Sequence, residues 1–108
     1  VDPWTDRYIF PGGVLPVPKQ VDEASQGIFI MEDWHNFGTD YDPTLMAWMH
    51  NIDDHRQELE RLGYEERFYR MWRFFLLSSA GSARARRNQL WQIVYSKKGL
   101  DGGYNAIR

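Results

Sequence analysis

The stretch QLWQIVYS, residues 89–96, restricts how this chain can fold more than any other segment. Alternate residues of a strand project to opposite faces of a sheet. Here both faces carry large apolar side chains: Leu90 and Val94 on one, and Trp91, Ile93 and Tyr95 on the other. This pattern predicts a strand in the middle of a sheet that is covered on both sides. A two-stranded ladder alone is marginal in water, so we expect the sheet to continue beyond these residues.

The aromatic content supports the same interpretation. Five Trp, six Tyr and six Phe occur among 108 residues, and the chain starts at Val1 without an initiator methionine. Each aromatic side chain buries roughly 150–250 Å² when it is packed in a core. A chain of this size buries only about 60 to 68% of the surface that its unfolded state exposes. We therefore expect residues 1–108 to be a fragment of a larger domain.

Composition excludes several kinds of site and leaves the basic end of the chain open to two interpretations. No cysteine is present, which excludes disulfides, thiolate zinc sites and a cysteine nucleophile. Residues 1–83 hold seven Lys and Arg against fourteen Asp and Glu, whereas residues 84–108 hold six against one. The basic end is either a solubilising helix terminus or a surface for phospholipid head groups. Nucleic acid is not an expected partner, because no aromatic stacking platform accompanies these charges.

The first third of the chain is predicted to hold one weak helix and one strand. Residues 1–18 are rich in proline and glycine and are predicted to form a connector loop. The sequence PKQVDEASQG then predicts a short helix that Gly27 ends. The continuous apolar run Ile28–Met31 predicts a buried strand.

Two longer helices are predicted in the middle of the chain. Asp42 is a preferred N-cap residue and Pro43 a preferred first helical residue, so a helix is expected to start there and to end at Gly63. A heavily buried second helix is expected from about Tyr64 to Arg87. The chain is thus predicted to be α/β, with two strands and about three helices, and residues 98–108 to be a flexible tail.

The residues by themselves give no complete active site. The three histidines lack metal-ligand spacing, so no metal site is expected, and Asp53, Asp54 and His55 are interpreted as a solvated helix face. No glycine-rich phosphate loop or nucleophile elbow is present. Tyr41, between Asp40 and Asp42, either packs its ring on the core or presents its hydroxyl to a cavity at one end of the sheet.

Four separated segments carry a family resemblance. They are YIFPGG, MEDWHNFG with the following DYD corner, ERFYRMWRFFL and QLWQIV. In this order they resemble the C-terminal part of the cyclopropane-fatty-acyl-phospholipid synthases and, more loosely, the mycolic acid cyclopropane synthases. The resemblance covers nearly all of residues 4–97. It implies a Rossmann-like class I methyltransferase fold, to which this chain contributes the last two strands, with the last strand antiparallel, and the helices between them.

The resemblance also implies a reaction. Enzymes of this family transfer the methyl group of S-adenosylmethionine to a cis double bond in an acyl chain of a membrane phospholipid. Loss of a proton then closes the cyclopropane ring, so that a methylene group is added overall, and a bound bicarbonate accepts that proton. Tyr41 matches one of the bicarbonate-binding residues of the family. Trp48, Phe68, Trp72 and Phe75 are candidates for the walls of the substrate pocket, although their helical spacing equally predicts ordinary core. The implied location is cytoplasmic, peripheral to the inner face of the membrane.

Other parts of the family's site have no counterpart among these residues. The glycine-rich cofactor loop, the acidic ribose contact and the remaining bicarbonate contacts would all lie upstream of Val1. We therefore expect no cofactor-binding residue and no activity in the isolated chain. The alternative is a stand-alone interaction or dimerisation module derived from the fold. In both cases the incomplete sheet predicts self-association or pairing with the missing N-terminal half.

The missing cofactor loop leads to a first prediction. Adding S-adenosylmethionine to the isolated chain should leave its thermal unfolding midpoint unchanged, because a ligand stabilises a protein only by binding the folded state. Native mass spectrometry with and without the cofactor checks this and gives the oligomeric state. A midpoint that rises with cofactor concentration, or a cofactor-bound species, would contradict the prediction. A well-ordered monomer would contradict the expectation of an open sheet edge.

Overall fold

The computed structural model describes all residues from Val1 to Arg108, and these form two units. Unit 1 consists of Val1–His35 and Gln92–Arg108, and unit 2 consists of Asn36–Trp91. The chain contains five α-helices and a two-stranded antiparallel sheet, which confirms the predicted α/β class. There are five helices because one lies in a segment predicted as loop and one predicted helix is divided in two.

Unit 1 begins with two short helices, α1 (Pro3–Tyr8) and α2 (Pro18–Ser25). The prediction of a plain connector loop over residues 1–18 missed α1. Its cause is local, because Asp2 Oδ1 accepts hydrogen bonds from the backbone N–H groups of Trp4 (3.1 Å) and Thr5 (2.9 Å), and Pro3 occupies the first helical position. The predicted helix α2 is present, and Gly27 follows it with φ +76°.

The sheet pairs β1 (Ile30–Asn36) with β2 (Trp91–Ser96). Strand β1 starts two residues later than predicted, because the backbone N–H groups of Ile28 and Phe29 both donate to the carbonyl of Ser25 at 3.0 Å. These two residues therefore finish the turn after α2. Across the pair, the Ser96 hydroxyl donates to Glu32 Oε1 at 2.6 Å.

The predicted coverage of both strand faces is not achieved within the chain. Ile30 is 48% exposed and Met31 is 38% exposed, and most residues of β2 are only half-buried. The hydroxyl of Tyr95 is buried without a hydrogen-bond partner. The C-terminal tail is connected to β1 through the Arg108 guanidinium, which binds both carboxylate oxygens of Asp33, one of them at 2.9 Å.

Unit 2 is helical. A 3₁₀ turn (Gly38–Asp40) leads into α3 (Tyr41–Asp54), followed by α4 (Arg56–Arg61) and α5 (Glu66–Arg84). The single helix predicted up to Gly63 is broken at His55, which leaves helical geometry with φ −108° and ψ 19°. The His55 Nδ1 atom lies 2.7 Å from the carbonyl oxygen of Asn51. The predicted stop after α4 is confirmed, because Gly63 has φ +91°.

The core of unit 2 lies between α3 and α5. Its buried members are Leu45 and Met49 of α3 and Leu76, Ala80 and Ala83 of α5. The prediction that α5 is heavily buried was wrong, since only these three of its 19 residues are buried and Phe74 is 58% exposed. Only one stripe of α5 packs against α3, and much of the apolar surface on the rest of α5 is uncovered.

This core generates a stability prediction. Leu45→Ala should destabilise the chain by about 2–5 kcal/mol, because the side chain is 1% exposed and its removal leaves a cavity. Urea denaturation followed by circular dichroism measures the change. Leu62→Ala is the matched control, because Leu62 is 69% exposed, and it should change the free energy of unfolding far less. Equal effects of the two substitutions would show that the α3–α5 core does not determine stability.

Candidate functional site

The Tyr41 corner, defined as residues 37–42, joins the end of β1 to the start of α3. The backbone N–H of Phe37 donates to the carbonyl of Leu90 at 3.0 Å. Gly38 is buried, and a Cβ atom there would lie 3.2 Å from both Gln89 Cα and Leu90 N. That separation is tighter than an ordinary van der Waals contact, so a larger residue would push the two segments apart. Gln89 and Leu90, just before β2, therefore restrain the position of the turn that leads to Tyr41 and α3.

Asp42 does not cap α3 as predicted. The 3₁₀ turn moves the helix start upstream, so that Tyr41 is the first helical residue and Asp42 lies within the first turn. The Asp42 carboxylate instead binds the guanidinium of Arg84, with Arg84 Nε 2.8 Å from Oδ2 and Nη2 3.2 Å from Oδ1. The side chain at the N-cap position, Asp40, makes no capping hydrogen bond. Thr44 donates its hydroxyl to the Asp40 carbonyl at 2.8 Å.

This ion pair sets the charge beside Tyr41. The hydrogen bonds from Arg84 hold the pKa of Asp42 below its ordinary value of 3.8, and Asp42 raises the pKa of Arg84 in turn. Both groups are therefore ionised at neutral pH. Because the contact is bidentate, the negative charge of Asp42 is matched by a positive charge in fixed geometry.

Tyr41 itself is half-buried and packs against the α3–α5 core. Its ring makes an edge-to-face contact with Trp48, with ring centroids 6.2 Å apart and planes at 87°. Trp48 is 48% exposed, so this aromatic pair lies between the core and the surface of unit 2. The packing of the ring is thus defined, and the anion contact of the hydroxyl stays a prediction.

The other three candidate wall residues form a row along α5. Phe68 and Trp72 have ring centroids 6.2 Å apart, and Trp72 and Phe75 are 5.7 Å apart at 90°. Tyr64 extends the row by stacking on Phe68, with ring centroids 4.4 Å apart. Tyr64 was not among the candidates predicted from the sequence, although it lies four positions before Phe68. Phe75 packs on the same core as Tyr41.

A polar network near the α3–α4 break was also missed. Asp53, interpreted from the sequence as part of a solvated face, accepts a hydrogen bond from the Tyr69 hydroxyl at 2.5 Å and lies 3.5 Å from Arg73 Nε. The Arg56 guanidinium stacks over the Tyr69 ring at 4.4 Å and binds Glu66 at 2.8 Å. These contacts connect three helices, and they follow from the α3–α5 packing rather than from spacing along one helix.

The structure has no group of three or more His, Cys, Asp or Glu side chains arranged to bind a metal ion. None of the helices combines the length and apolar character needed to cross a membrane.

Comparisons with known proteins agree with one another. Residues 1–93 match the family described as mycolic acid cyclopropane synthetase. Over all 108 residues the chain is 48% identical to cyclopropane-fatty-acyl-phospholipid synthase of Escherichia coli, of which it covers 28%, a C-terminal part. It is 46% identical to the protein of the same name from Citrobacter freundii over 90 residues, 83% of this chain and 99% of that one. A tuberculostearic acid methyltransferase of Mycobacterium tuberculosis is 30% identical over 99 residues, 89% of this chain and 23% of its own length.

The polar network gives a prediction with a defined pH dependence. Tyr69→Phe should lower the unfolding midpoint, because it removes the hydroxyl that donates to Asp53. That hydrogen bond raises the pKa of Tyr69 above its ordinary value of 10.0. Its stabilising contribution is therefore complete below pH 10 and is lost as the pH rises through the raised pKa of the folded state.

Thermal unfolding between pH 7 and 11 measures this effect. The difference in midpoint between the unsubstituted chain and Tyr69→Phe should be constant up to about pH 9 and should shrink above pH 10. Tyr64→Phe is the matched control, since its ring is 46% exposed and stacks on Phe68. A difference for Tyr69→Phe no larger than that of the control would show that the network does not contribute to stability.

Proposed function

Because the chain belongs to the mycolic acid cyclopropane synthetase family, we propose that it is the C-terminal part of an S-adenosylmethionine-dependent methyltransferase that forms a cyclopropane ring on an unsaturated acyl chain of a membrane phospholipid. The observation that carries the proposal is the 48% identity over the whole chain to the cyclopropane-fatty-acyl-phospholipid synthase of E. coli. The chain spans less than a third of that relative, so the activity belongs to a longer protein.

The residues of this chain do not fit the cofactor by themselves. Gly38 is the one glycine that follows a strand and precedes a helix along the chain, and the space beside it is occupied by the backbone of residues 89–90. A cradle for a nucleotide needs a glycine-rich turn with open space at the start of a helix. We propose that S-adenosylmethionine is held by a part of the enzyme outside residues 1–108, and that the isolated chain is inactive.

Tyr41 is the residue proposed to act in the reaction. Its hydroxyl would donate a hydrogen bond to a bicarbonate ion, which accepts the proton lost as the ring closes. Three observations support this role. Tyr41 follows the carboxyl end of β1, the end of the strands at which open α/β sheets bind ligands. Its ring is positioned by the core and by Trp48. The charge of the neighbouring Asp42 is balanced by Arg84.

The four aromatic candidates would supply an apolar lining around the reacting carbons. The faces of aromatic rings attract positive charge, so they suit a reaction in which a cation develops on the alkene. Trp48 contacts Tyr41 directly and is the strongest of these candidates. Phe68, Trp72 and Phe75 lie in one continuous row that could follow an extended acyl chain.

The exposed apolar residues near the start of β1 support the proposal that another part of the enzyme covers them. Ile28, Phe29, Ile30 and Met31 are each between 38% and 58% exposed, although a continuous apolar run is typical of a covered segment. We propose that the rest of the enzyme covers them, with the complete protein at the inner face of the membrane. The same exposure would also permit pairing of two copies of the isolated chain.

The role of Tyr41 is tested in a chimera in which the 108 residues replace the matching C-terminal part of the E. coli relative. Tyr41→Phe should reduce cyclopropane formation on phospholipid vesicles by about 10- to 100-fold, because a hydrogen bond to a charged group is lost. Gas chromatography of the fatty acids measures the product.

Tyr8→Phe is the matched control, because Tyr8 lies on α1 beside Trp4 and Arg7. This substitution should leave turnover unchanged. An inactive chimera with the unsubstituted chain would overturn the proposed function. Full activity of Tyr41→Phe in an active chimera would return Tyr41 to a packing role alone.

A further inference from the structure

The ion pair between Asp42 and Arg84 connects the first turn of α3 to the last turn of α5, 42 residues further along the chain. The Asp42 side chain is 19% exposed, whereas Arg84 is 69% exposed and approaches from the solvent side. Ion pairs with one partner this exposed contribute little to stability. The Asp42–Arg84 ion pair therefore matters more for the charge beside Tyr41 than for the free energy of unfolding.

An anion bound at Tyr41 would meet the charges of the residues on either side of it. Asp40 and Asp42 flank Tyr41 in the sequence, and like charges at short range oppose one another. Asp40 is exposed, so water screens its charge. Asp42 is more buried, and its charge is screened by the Arg84 guanidinium instead.

We propose that Arg84 is a positioning residue for the Tyr41 site: it neutralises the charge of Asp42, so that Tyr41 can bind bicarbonate. This inference rests on the proposed function of Tyr41. Arginine is suited to neutralising Asp42, because its planar guanidinium binds both carboxylate oxygens at once. This contact balances the negative charge of the carboxylate and also sets its orientation.

The test measures the bicarbonate concentration that gives half-maximal cyclopropane formation in the chimera with the E. coli relative. Arg84→Gln should raise that concentration about threefold to fivefold, because the Asp42 charge is no longer matched, with maximal turnover within about twofold of the parent. The double variant Asp42→Asn with Arg84→Gln should restore the parent value, since both charges are gone. Arg84→Lys keeps the charge and should give a smaller shift than Arg84→Gln.

Lys19→Gln is the control, because it breaks another exposed ion pair, with Glu23, on α2. It should leave the half-maximal concentration unchanged. A thermal unfolding curve for each variant separates a loss of folding from a change in anion binding. A purely structural role for Arg84 would lower the midpoint and the maximal turnover while the half-maximal concentration stayed constant, which would overturn the inference.

The two proposals fail in different ways. No response to bicarbonate in the parent chimera, or full activity of Tyr41→Phe, would remove the site that Arg84 is inferred to support, so the proposed function and the inference would fall together. A loss of activity in Tyr41→Phe, combined with an unshifted half-maximal concentration in Arg84→Gln, would leave Tyr41 in place and overturn the role of Arg84 alone. A double variant that fails to recover would also overturn it.

Discussion

The packing of α3 on α5 is the interaction on which unit 2 depends. Leu45 and Met49 of α3 pack in one buried cluster with Leu76, Ala80 and Ala83 of α5. Two of the three residues on α5 are alanines, whose small side chains permit close approach of the two helix backbones. A core of five buried residues is modest for a chain with so many aromatic side chains. Polar contacts between α3 and α5, at Asp42 with Arg84 and at Asp53 with Tyr69, add to the few apolar contacts of this core.

The candidate site is built on this packing. Because α3 and α5 are held together, Asp42 meets Arg84 at one end of the pair and Asp53 meets Tyr69 farther along α3. Gly38 adds a third restraint, since its missing side chain lets the corner before α3 approach the backbone of residues 89–90. The position of Tyr41 at the start of α3 is thus restrained by several contacts. A group that holds a small ion in one orientation needs such restraint.

The apolar surface left uncovered connects the fold to the proposed function. Residues Ile28 to Met31 and Phe74 are exposed, and the buried hydroxyl of Tyr95 has no partner. Exposing aromatic and branched side chains to water costs free energy, which supports the proposal that the rest of a longer protein covers them. The chain covers 28% of the E. coli relative, which is consistent with this proposal.

The sequence by itself determined the α/β class, the position of β2, the helix that starts near Tyr41 and the stop at Gly63, because these follow from local periodicity and from the conformational preferences of proline and glycine. It also pointed to Tyr41, but only through a resemblance, since no spacing rule assigns a role to one tyrosine. The contacts of Asp42 and Asp53 were decided by the tertiary structure, because their partners lie 42 and 16 residues away and only helix packing brings them together. The break at His55 and the start of α3 at Tyr41 are local features with short-range hydrogen bonds, and the periodicity of the sequence did not predict them.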